Sequence, residues 1–182
     1  MITPILLALA FIAIILLVVI AGRPSEFRVT RSASINAPPA VVFAQVNDLH
    51  AWQAWSPWAK MDPDAKNTFE GPPSGTGASM AWAGNNQVGE GRMTITESRP
   101  AELVRFRLEF FKPWQATNTA EFTFTASGGQ TVVNWTMLGK NNFMAKAFGL
   151  FMDCDKMVGG CFEKGLAQMK SVAEAAVDLR AR

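Results

Sequence analysis

The apolar and polar positions follow three different patterns along the chain. Residues 1–22 contain no charged side chain, and as a helix they would extend about 33 Å, slightly more than the hydrocarbon core of a bilayer. From Phe27 to Ile35 apolar residues alternate with polar ones, as in a half-buried strand. From Asn142 to about Val177 the apolar residues are spaced three and four apart, which is typical of an amphipathic helix. The chain is therefore predicted to contain a membrane-spanning helix, a strand-rich region and a long C-terminal helix.

Between these segments the pattern predicts two short helices followed by five further strands. Pro38 and Pro39 suit the first turn of the first helix, where a missing N–H costs little. Asp48 can cap the second helix, and Pro57 can end it. Beyond a loop rich in glycine and proline, apolar residues recur at every second position in segments separated by turn sequences. These segments are 79–82, 88–98, 103–111, 117–126 and 131–138. An antiparallel sheet of six to seven strands with one apolar face is expected.

The C-terminal helix is predicted to cross that apolar face as one element of about 35 residues. Its apolar stripe comprises Phe143, Ala147, Leu150, Phe151, Cys154, Met157, Val158, Cys161, Phe162, Gln168, Met169 and Val172. Gly159 and Gly160 interrupt the stripe; they could make room for a ligand or permit close contact with the sheet. Arg31 interrupts the apolar face of the first strand and needs partners if buried. It could bind a ligand carboxylate or head group, pair internally, or lie at a strand bulge.

The N-terminal segment is predicted to be a retained anchor covering residues 1–22. A cleaved secretory signal is the alternative, but the segment lacks a basic n-region and its apolar run is longer than usual. Arg23, Arg28 and Arg31 follow the segment and no basic residue precedes it, which predicts a cytoplasmic C-terminal side. A cleaved signal would instead place the domain in the periplasm or outside the cell. A linker at 23–26 would hold a domain at 27–178, with a tail at 179–182, close to the membrane surface.

Composition excludes several functional classes. The 17 basic and 15 acidic side chains are spread along the chain, so a nucleic-acid partner is not expected. There is no tyrosine, the single histidine His50 is predicted to be exposed, and Cys154 and Cys161 lie two helical turns apart. This inventory predicts no metal site, no cofactor and no catalytic residue. Asp155 borders the apolar stripe, either as an ordinary surface carboxylate or as an acid or base with a raised pKa.

Several segments carry a resemblance to a known superfamily. "INAPPAVVFAQVNDLHAWQAWSPW", "GRMTITESRP", "ATNTAEFTF" and "FGLFMDCDKMVGGCFEKGL" resemble the SRPBCC superfamily, specifically its polyketide cyclase/dehydrase-like or START-like bacterial proteins, which are related to plant pollen allergens and lipid-transfer domains. The resemblance covers about residues 27 to 176. It implies the α+β helix-grip fold, in which a curved antiparallel sheet surrounds a long C-terminal helix and leaves a hydrophobic cavity between them.

The resemblance also suggests a function and a set of ligand-contacting residues. The expected function is membrane-anchored binding of a hydrophobic small molecule or lipid. The alternatives are a cyclase- or aromatase-like enzyme that uses an Arg or Asp, and a non-catalytic module that binds a membrane partner; no oligomeric state is predicted. Tryptophans at helical spacing are more often core residues than ligand contacts, and each aromatic candidate could instead be ordinary core. The candidates are Trp52, Trp55, Trp58, Trp82, Phe106, Phe110, Phe122, Phe124, Trp135, Met157 and Arg31.

Overall fold

The N-terminal segment is helical. The computed structural model describes residues 2–150 and 153–180, beginning with helix α1, Ile2–Ala21. This helix carries no charged residue and is exposed along nearly all of its length. It is long and apolar enough to cross a bilayer, although a signal sequence has the same properties. Near its C-terminal end Ile20 is buried. Strand β1, Glu26–Ile35, starts a few residues after α1.

Three short helices follow β1, where the sequence predicted two. They are α2, Pro39–Asn47; α3, Trp52–Trp55; and α4, Pro57–Met61. Pro57 ends α3 as predicted and also begins α4, because a proline is well tolerated in the first turn of a helix. Asp48 does not cap α3. Its carboxylate accepts a hydrogen bond from the His50 backbone N–H at 2.8 Å, in the turn between α2 and α3.

The remaining strands complete a seven-stranded antiparallel sheet. They are β2, Lys66–Glu70; β3, Ser79–Ala83; β4, Glu90–Arg99; β5, Leu103–Lys112; β6, Ala116–Ser127; and β7, Gln130–Lys140. The strand order is β1-β7-β6-β5-β4-β3-β2, so β1 and β2 form the two edges. Strand β2 was not predicted individually.

The pairing register shows which ends of the seven strands lie together at one end of the sheet. Glu26 pairs with Lys140, and Phe110 pairs with Ala116. Glu90 pairs with Lys112, and Lys66 pairs with Ala83. Since β1 begins directly after α1, this side is the one on which α1 joins the sheet, and it is called the α1 end below.

The prediction of one continuous C-terminal helix was wrong. The segment forms two helices, α5, Phe143–Phe148, and α6, Cys154–Arg180. Each has its own start, because the Asn142 side chain accepts a hydrogen bond from the Ala145 N–H at 2.8 Å and the Asp153 carboxylate accepts one from the Lys156 N–H at 3.1 Å. Phe151, which we placed on the apolar stripe, lies outside the described residues.

Helix α6 packs on the apolar face of the sheet and closes the core. Its side chains Phe162, Leu166, Met169 and Ala173 are at most 2 % exposed. Polar contacts hold the same helix along β1: Lys170 donates to the Ser34 carbonyl at 2.8 Å, and the Asn36 N–H donates to Glu174 at 2.7 Å. The latter bond lowers the pKa of the Glu174 carboxyl. The architecture is the expected α+β arrangement, in which a curved sheet grips a long C-terminal helix.

Candidate functional site

An aromatic cluster fills much of the space between the sheet and the helices. The Trp52 ring meets Phe106, Phe122 and Trp135 edge to face at centroid separations of 5.5 to 5.8 Å. Trp135 also stacks on Phe162 of α6 at 4.0 Å. Such pairs stabilise a core beyond the area that they bury. The helix α3 thus packs on the sheet through aromatic contacts, and Trp135 connects the same cluster to α6.

Trp55 belongs entirely to this packing. Its side chain is fully buried, and its indole N–H donates to the Gln45 carbonyl at 2.9 Å. Both the apolar ring and the polar N–H are therefore satisfied within the protein. The one-turn helix α3 places Trp52 and Trp55 together, with ring centroids 4.3 Å apart, but only Trp52 reaches open space.

Beside the cluster lies a cavity of about 150 Å³ between the apolar face of the sheet and the α3–α4 segment. Its walls are mostly apolar, and it opens to the solvent at one side. The volume is similar to that of an apolar cavity that takes up benzene, and smaller than the roughly 300 Å³ at which pockets for drug-sized ligands begin. A volume of this size corresponds to a single ring or a short length of acyl chain.

Six of the predicted ligand-contacting residues line this cavity. They are Trp52, Trp58, Trp82, Phe106, Phe110 and Trp135. Trp82 lies over Gly91, its partner on the neighbouring strand, where a Cβ would overlap the indole ring. Glycine at this position leaves room for the indole ring.

The other five predicted residues lie elsewhere. Trp55 and Phe122 are fully buried in the aromatic cluster, and Phe124 packs edge to face on Phe43 of α2 at 5.7 Å. Met157 is 53 % exposed, because it lies in the first turn of α6 rather than over the sheet. Arg31 pairs internally.

Arg31 joins β1 to α6 through two carboxylates. Its guanidinium donates to Asp155 at 2.8 Å and to Glu163 at 2.7 Å. The hydrogen bonds raise the pKa of Arg31 and lower the pKa of Asp155, so Asp155 is not the acid with a raised pKa considered above. A Cβ at Gly159 would overlap the guanidinium, whereas a Cβ at Gly160 would meet open space. The first glycine serves close contact with the sheet, not a ligand.

The sequence analysis missed several further lining residues. Met80, Met93, Leu108, Ala120, Met137 and Phe162 also line the cavity. The signal for most of them was present, since the sheet residues alternate in phase with the predicted aromatic residues on the same strands. The sequence alone could not separate the positions that touch the void from those packed against other side chains.

Six exposed or half-buried residues after α3 and in the β3–β4 turn also line the cavity, and the sequence analysis did not single them out. They are Ala59, Asp62, Pro63, Ala65, Asn67 and Val88, here called the mouth. Asp62 accepts a hydrogen bond from the Asn85 N–H at 2.6 Å, which ties the segment after α4 to the β3–β4 turn. Asn67 donates to the Gln53 side-chain oxygen at 3.2 Å. These bonds give the mouth a defined shape.

Ser56 is a polar group inside the lining. It is 3 % exposed and precedes Pro57, the position at which a serine commonly caps a helix. Its hydroxyl does not cap α4, and its residue contributes to the cavity wall instead. A hydroxyl in an apolar wall is a means of orienting a ligand.

The residues considered for other chemistry lie away from the cavity. His50 is exposed as predicted, and its ring stacks on Phe69 at 3.9 Å. Cys154 and Cys161 are free thiols on α6. Within residues 2–150 and 153–180, no three His, Cys, Asp or Glu side chains are grouped so as to hold a metal ion.

The fold and cavity can now be compared with known proteins. A family model described as polyketide cyclase / dehydrase and lipid transport matches residues 26–174. No curated protein matches the chain in sequence.

Solved structures share the fold at low sequence identity. Protein CV1439 from Chromobacterium violaceum is 15 % identical, with a TM-score of 0.59, and the alignment covers 84 % of this chain and 99 % of that one. The major latex-like protein 151 from Panax ginseng is 10 % identical, with a TM-score of 0.57 and coverages of 82 % and 99 %. DynU16, a protein of the dynemicin biosynthetic locus, is 14 % identical, with a TM-score of 0.56 and coverages of 85 % and 49 %.

At these identities the structural matches establish the fold alone, whereas the family model spans most of the sequence. This chain therefore belongs to the polyketide cyclase / dehydrase and lipid transport family.

Proposed function

We propose that the protein binds a hydrophobic small molecule or a lipid chain in the cavity beneath α3 and α4, while α1 anchors it in a membrane. The observation that carries this proposal is the apolar cavity of about 150 Å³, left open beside a densely packed aromatic cluster. An aromatic core of this kind could have closed the space completely. The family description, which includes lipid transport, supports the same reading.

The cavity would bind its ligand mainly by removing apolar surface from water. That transfer is worth about 25 cal/mol per Å² before the cost of ordering the ligand. The apolar part would lie among Phe106, Trp135 and Met137, and the polar part would lie towards Ser56 and the mouth. Since Asp62 is part of the mouth, a neutral or cationic polar group is favoured there over a carboxylate.

Catalysis has less support from the geometry. An aromatase-like mechanism would need a group that polarises a carbonyl inside the cavity. Arg31 and Asp155 are paired with each other outside the cavity lining, and Asp62 is the one ionisable side chain in that lining as far as the described residues go. Binding is therefore favoured over turnover.

The membrane part of the proposal is that residues 1–22 remain as an anchor and that residues 27–178 form the domain. Helix α1 has the required length and composition. The arginines that follow it favour a cytoplasmic domain. Protease protection in sealed inverted and right-side-out vesicles would test both the anchor and the side.

Extraction of the bound molecule tests the binding proposal. The full-length protein would be purified in a mild detergent, extracted with organic solvent, and analysed by mass spectrometry. The matched control is Ala120→Phe, which places a ring in the cavity but leaves α1, and hence any lipid around α1, unchanged. We expect one class of apolar molecule to be enriched in the wild type and depleted in the variant. Equal profiles for the two proteins would refute binding in the cavity.

A further inference from the structure

We infer that an exposed apolar patch beside α1 lies in the bilayer interface and turns the mouth of the cavity towards the lipid. The patch, called the α5 patch, consists of Phe111, Trp114, Phe143, Met144 and Phe148. This inference rests on the proposed membrane anchor and adds a second contact with the bilayer, together with an orientation of the cavity.

The members of the α5 patch are unusually exposed for large apolar side chains. Trp114 is 66 % exposed, and Met144 and Phe143 of α5 are 52 % and 50 % exposed. Two separate segments meet here, because the rings of Trp114 and Phe148 are 6.1 Å apart. Clustered apolar side chains on a surface mark a binding site, whereas single ones need no explanation.

The position of α5 identifies the partner. Lys146 of α5 donates to the Ala21 carbonyl, at the last residue of α1, over 3.4 Å. Asn141 donates through its backbone to the Ser25 carbonyl at 2.8 Å and through its side chain to the Pro24 carbonyl at 3.2 Å. The patch is thus held beside the point where α1 would leave the hydrocarbon core, and it continues the exposed apolar surface of that helix.

The surrounding chemistry fits the lipid head-group region. Trp114 is of the type enriched at the boundary between lipid and water, since its ring is apolar and its N–H is polar. Arg23, Lys140 and Lys146 lie on the same side, in α5 or next to β1 and α1, where anionic head groups would attract them. A bilayer surface therefore satisfies both the apolar and the charged parts of this region.

The same placement orients the cavity. Phe110 and Trp82 line the cavity near the α1 end of β5 and β3, and Val88 of the mouth lies in the β3–β4 turn at that end. Asn67 of the mouth is the second residue of β2, whose first residue, Lys66, is also at the α1 end. With the α5 patch in the interface, an acyl chain could pass between the bilayer and the cavity without crossing bulk water.

A site-specific fluorescent label tests this orientation. In full-length protein carrying Cys154→Ser and Cys161→Ser, Met144→Cys places one label in the α5 patch. Ser127→Cys places a control label at the β6–β7 turn, at the opposite end of the sheet. Each protein would be reconstituted in phosphatidylcholine vesicles containing one quarter phosphatidylglycerol. We expect the nitrobenzoxadiazole label at position 144 to be blue-shifted and quenched by lipids with a nitroxide near the glycerol, and the label at position 127 to behave as in water.

A second measurement needs no label. Phosphatidylcholine brominated near the glycerol should quench the wild-type tryptophan fluorescence, and Trp114→Phe should reduce that quenching. Water-like behaviour at position 144 in protein that floats with the vesicles, together with quenching unchanged by Trp114→Phe, would overturn the inference while leaving the anchor intact. Protein that does not float would overturn both.

The label and quenching measurements do not depend on whether the cavity binds a lipid. A lipid found by extraction in protein whose patch is in water would keep the proposed binding function and remove this inference. An interfacial patch in protein that carries no lipid would do the reverse.

Discussion

Filling the cavity should stabilise the protein, and Ala120→Leu is the sharpest way to test this. Ala120 lies on the interior strand β6, is 3 % exposed, and lines the cavity next to its cross-strand partners Phe106 and Met137. The substitution adds three carbon atoms to a position that borders about 150 Å³ of open space. No other part of the chain needs to change.

The expected gain follows from the burial of those carbons. Each buried CH₂ contributes about 0.8 kcal/mol, so three give at most about 2.4 kcal/mol. Ordering a leucine side chain costs about 0.5 to 1 kcal/mol, which leaves roughly 1.5 kcal/mol. For a protein of this size that corresponds to a rise in Tm of roughly 3 to 6 °C.

The assay is thermal unfolding of full-length protein in one detergent, followed by near-ultraviolet circular dichroism. The matched control is Ala173→Leu, since Ala173 is fully buried in α6 and is not part of the cavity lining. That variant should lose about 1 to 3 kcal/mol through overpacking. A comparable loss for Ala120→Leu in delipidated protein would refute the reasoning, because it would mean that the space is not available.

Four further substitutions test other parts of the structure. The hydrogen bond from Arg31 lowers the pKa of Asp155, so the stabilisation that this bond gives the folded protein is complete above the ordinary carboxyl pKa of about 3.9 and is lost as the pH falls through the folded value. The difference in unfolding free energy between wild type and Asp155→Asn should therefore be constant near neutral pH and shrink in acid. A difference that grew in acid would contradict this. Gly160→Ala should stabilise the protein by about 0.5 to 1 kcal/mol in chemical denaturation, because alanine favours the helix and the new Cβ meets open space. Gly159→Ala should stabilise it less or not at all, because the new Cβ displaces the Arg31 guanidinium. Equal gains for the two variants would argue against the close contact between Gly159 and Arg31. Trp55→Phe leaves the Gln45 carbonyl without its donor and should cost about 1 to 3 kcal/mol, yet it should leave the extracted ligand unchanged; loss of the ligand in a folded variant would place Trp55 at the binding site.

Much of the fold was predictable because most elements have a clear period. Burial alternates along most of strands β4 to β7, since one face of the sheet is covered and the other is more open to solvent. Strand β2 is different: of its five residues only Phe69 is partly buried, so it carries no alternation that a pattern could reveal. It is a strand because it pairs with β3 at the sheet edge.

The break between α5 and α6 could not be recognised from the apolar spacing of the sequence, for a related reason. The apolar spacing continues through both helices, but Phe143 and Phe148 are exposed whereas Phe162 is buried. A helical period shows which residues share a face, and it does not show what that face contacts. The caps at Asn142 and Asp153 were the available signal of two helices.

The candidate site was predictable as a surface and not residue by residue. Alternation placed Trp82, Phe106 and Trp135 on the apolar face, where they line the cavity. The same alternation selected Phe122 and Phe124, which pack against rings of the short helices. Whether a side chain touches a void depends on the exact position of α2 and α3, which is a tertiary property.

The two edges of the sheet are held by different numbers of contacts. Along β1, α6 is held by the Arg31 ion pairs, by the bond of Lys170 to the Ser34 carbonyl, and by the bond of Glu174 to the N–H of Asn36, just after the strand. At the other edge β2 is short, and the neighbouring α4 segment is connected to the β3–β4 turn through Asp62. If a larger ligand enlarged the interior, we therefore expect β2 and α4 to move and α6 to keep its place along β1, so that the sheet would yield at one edge.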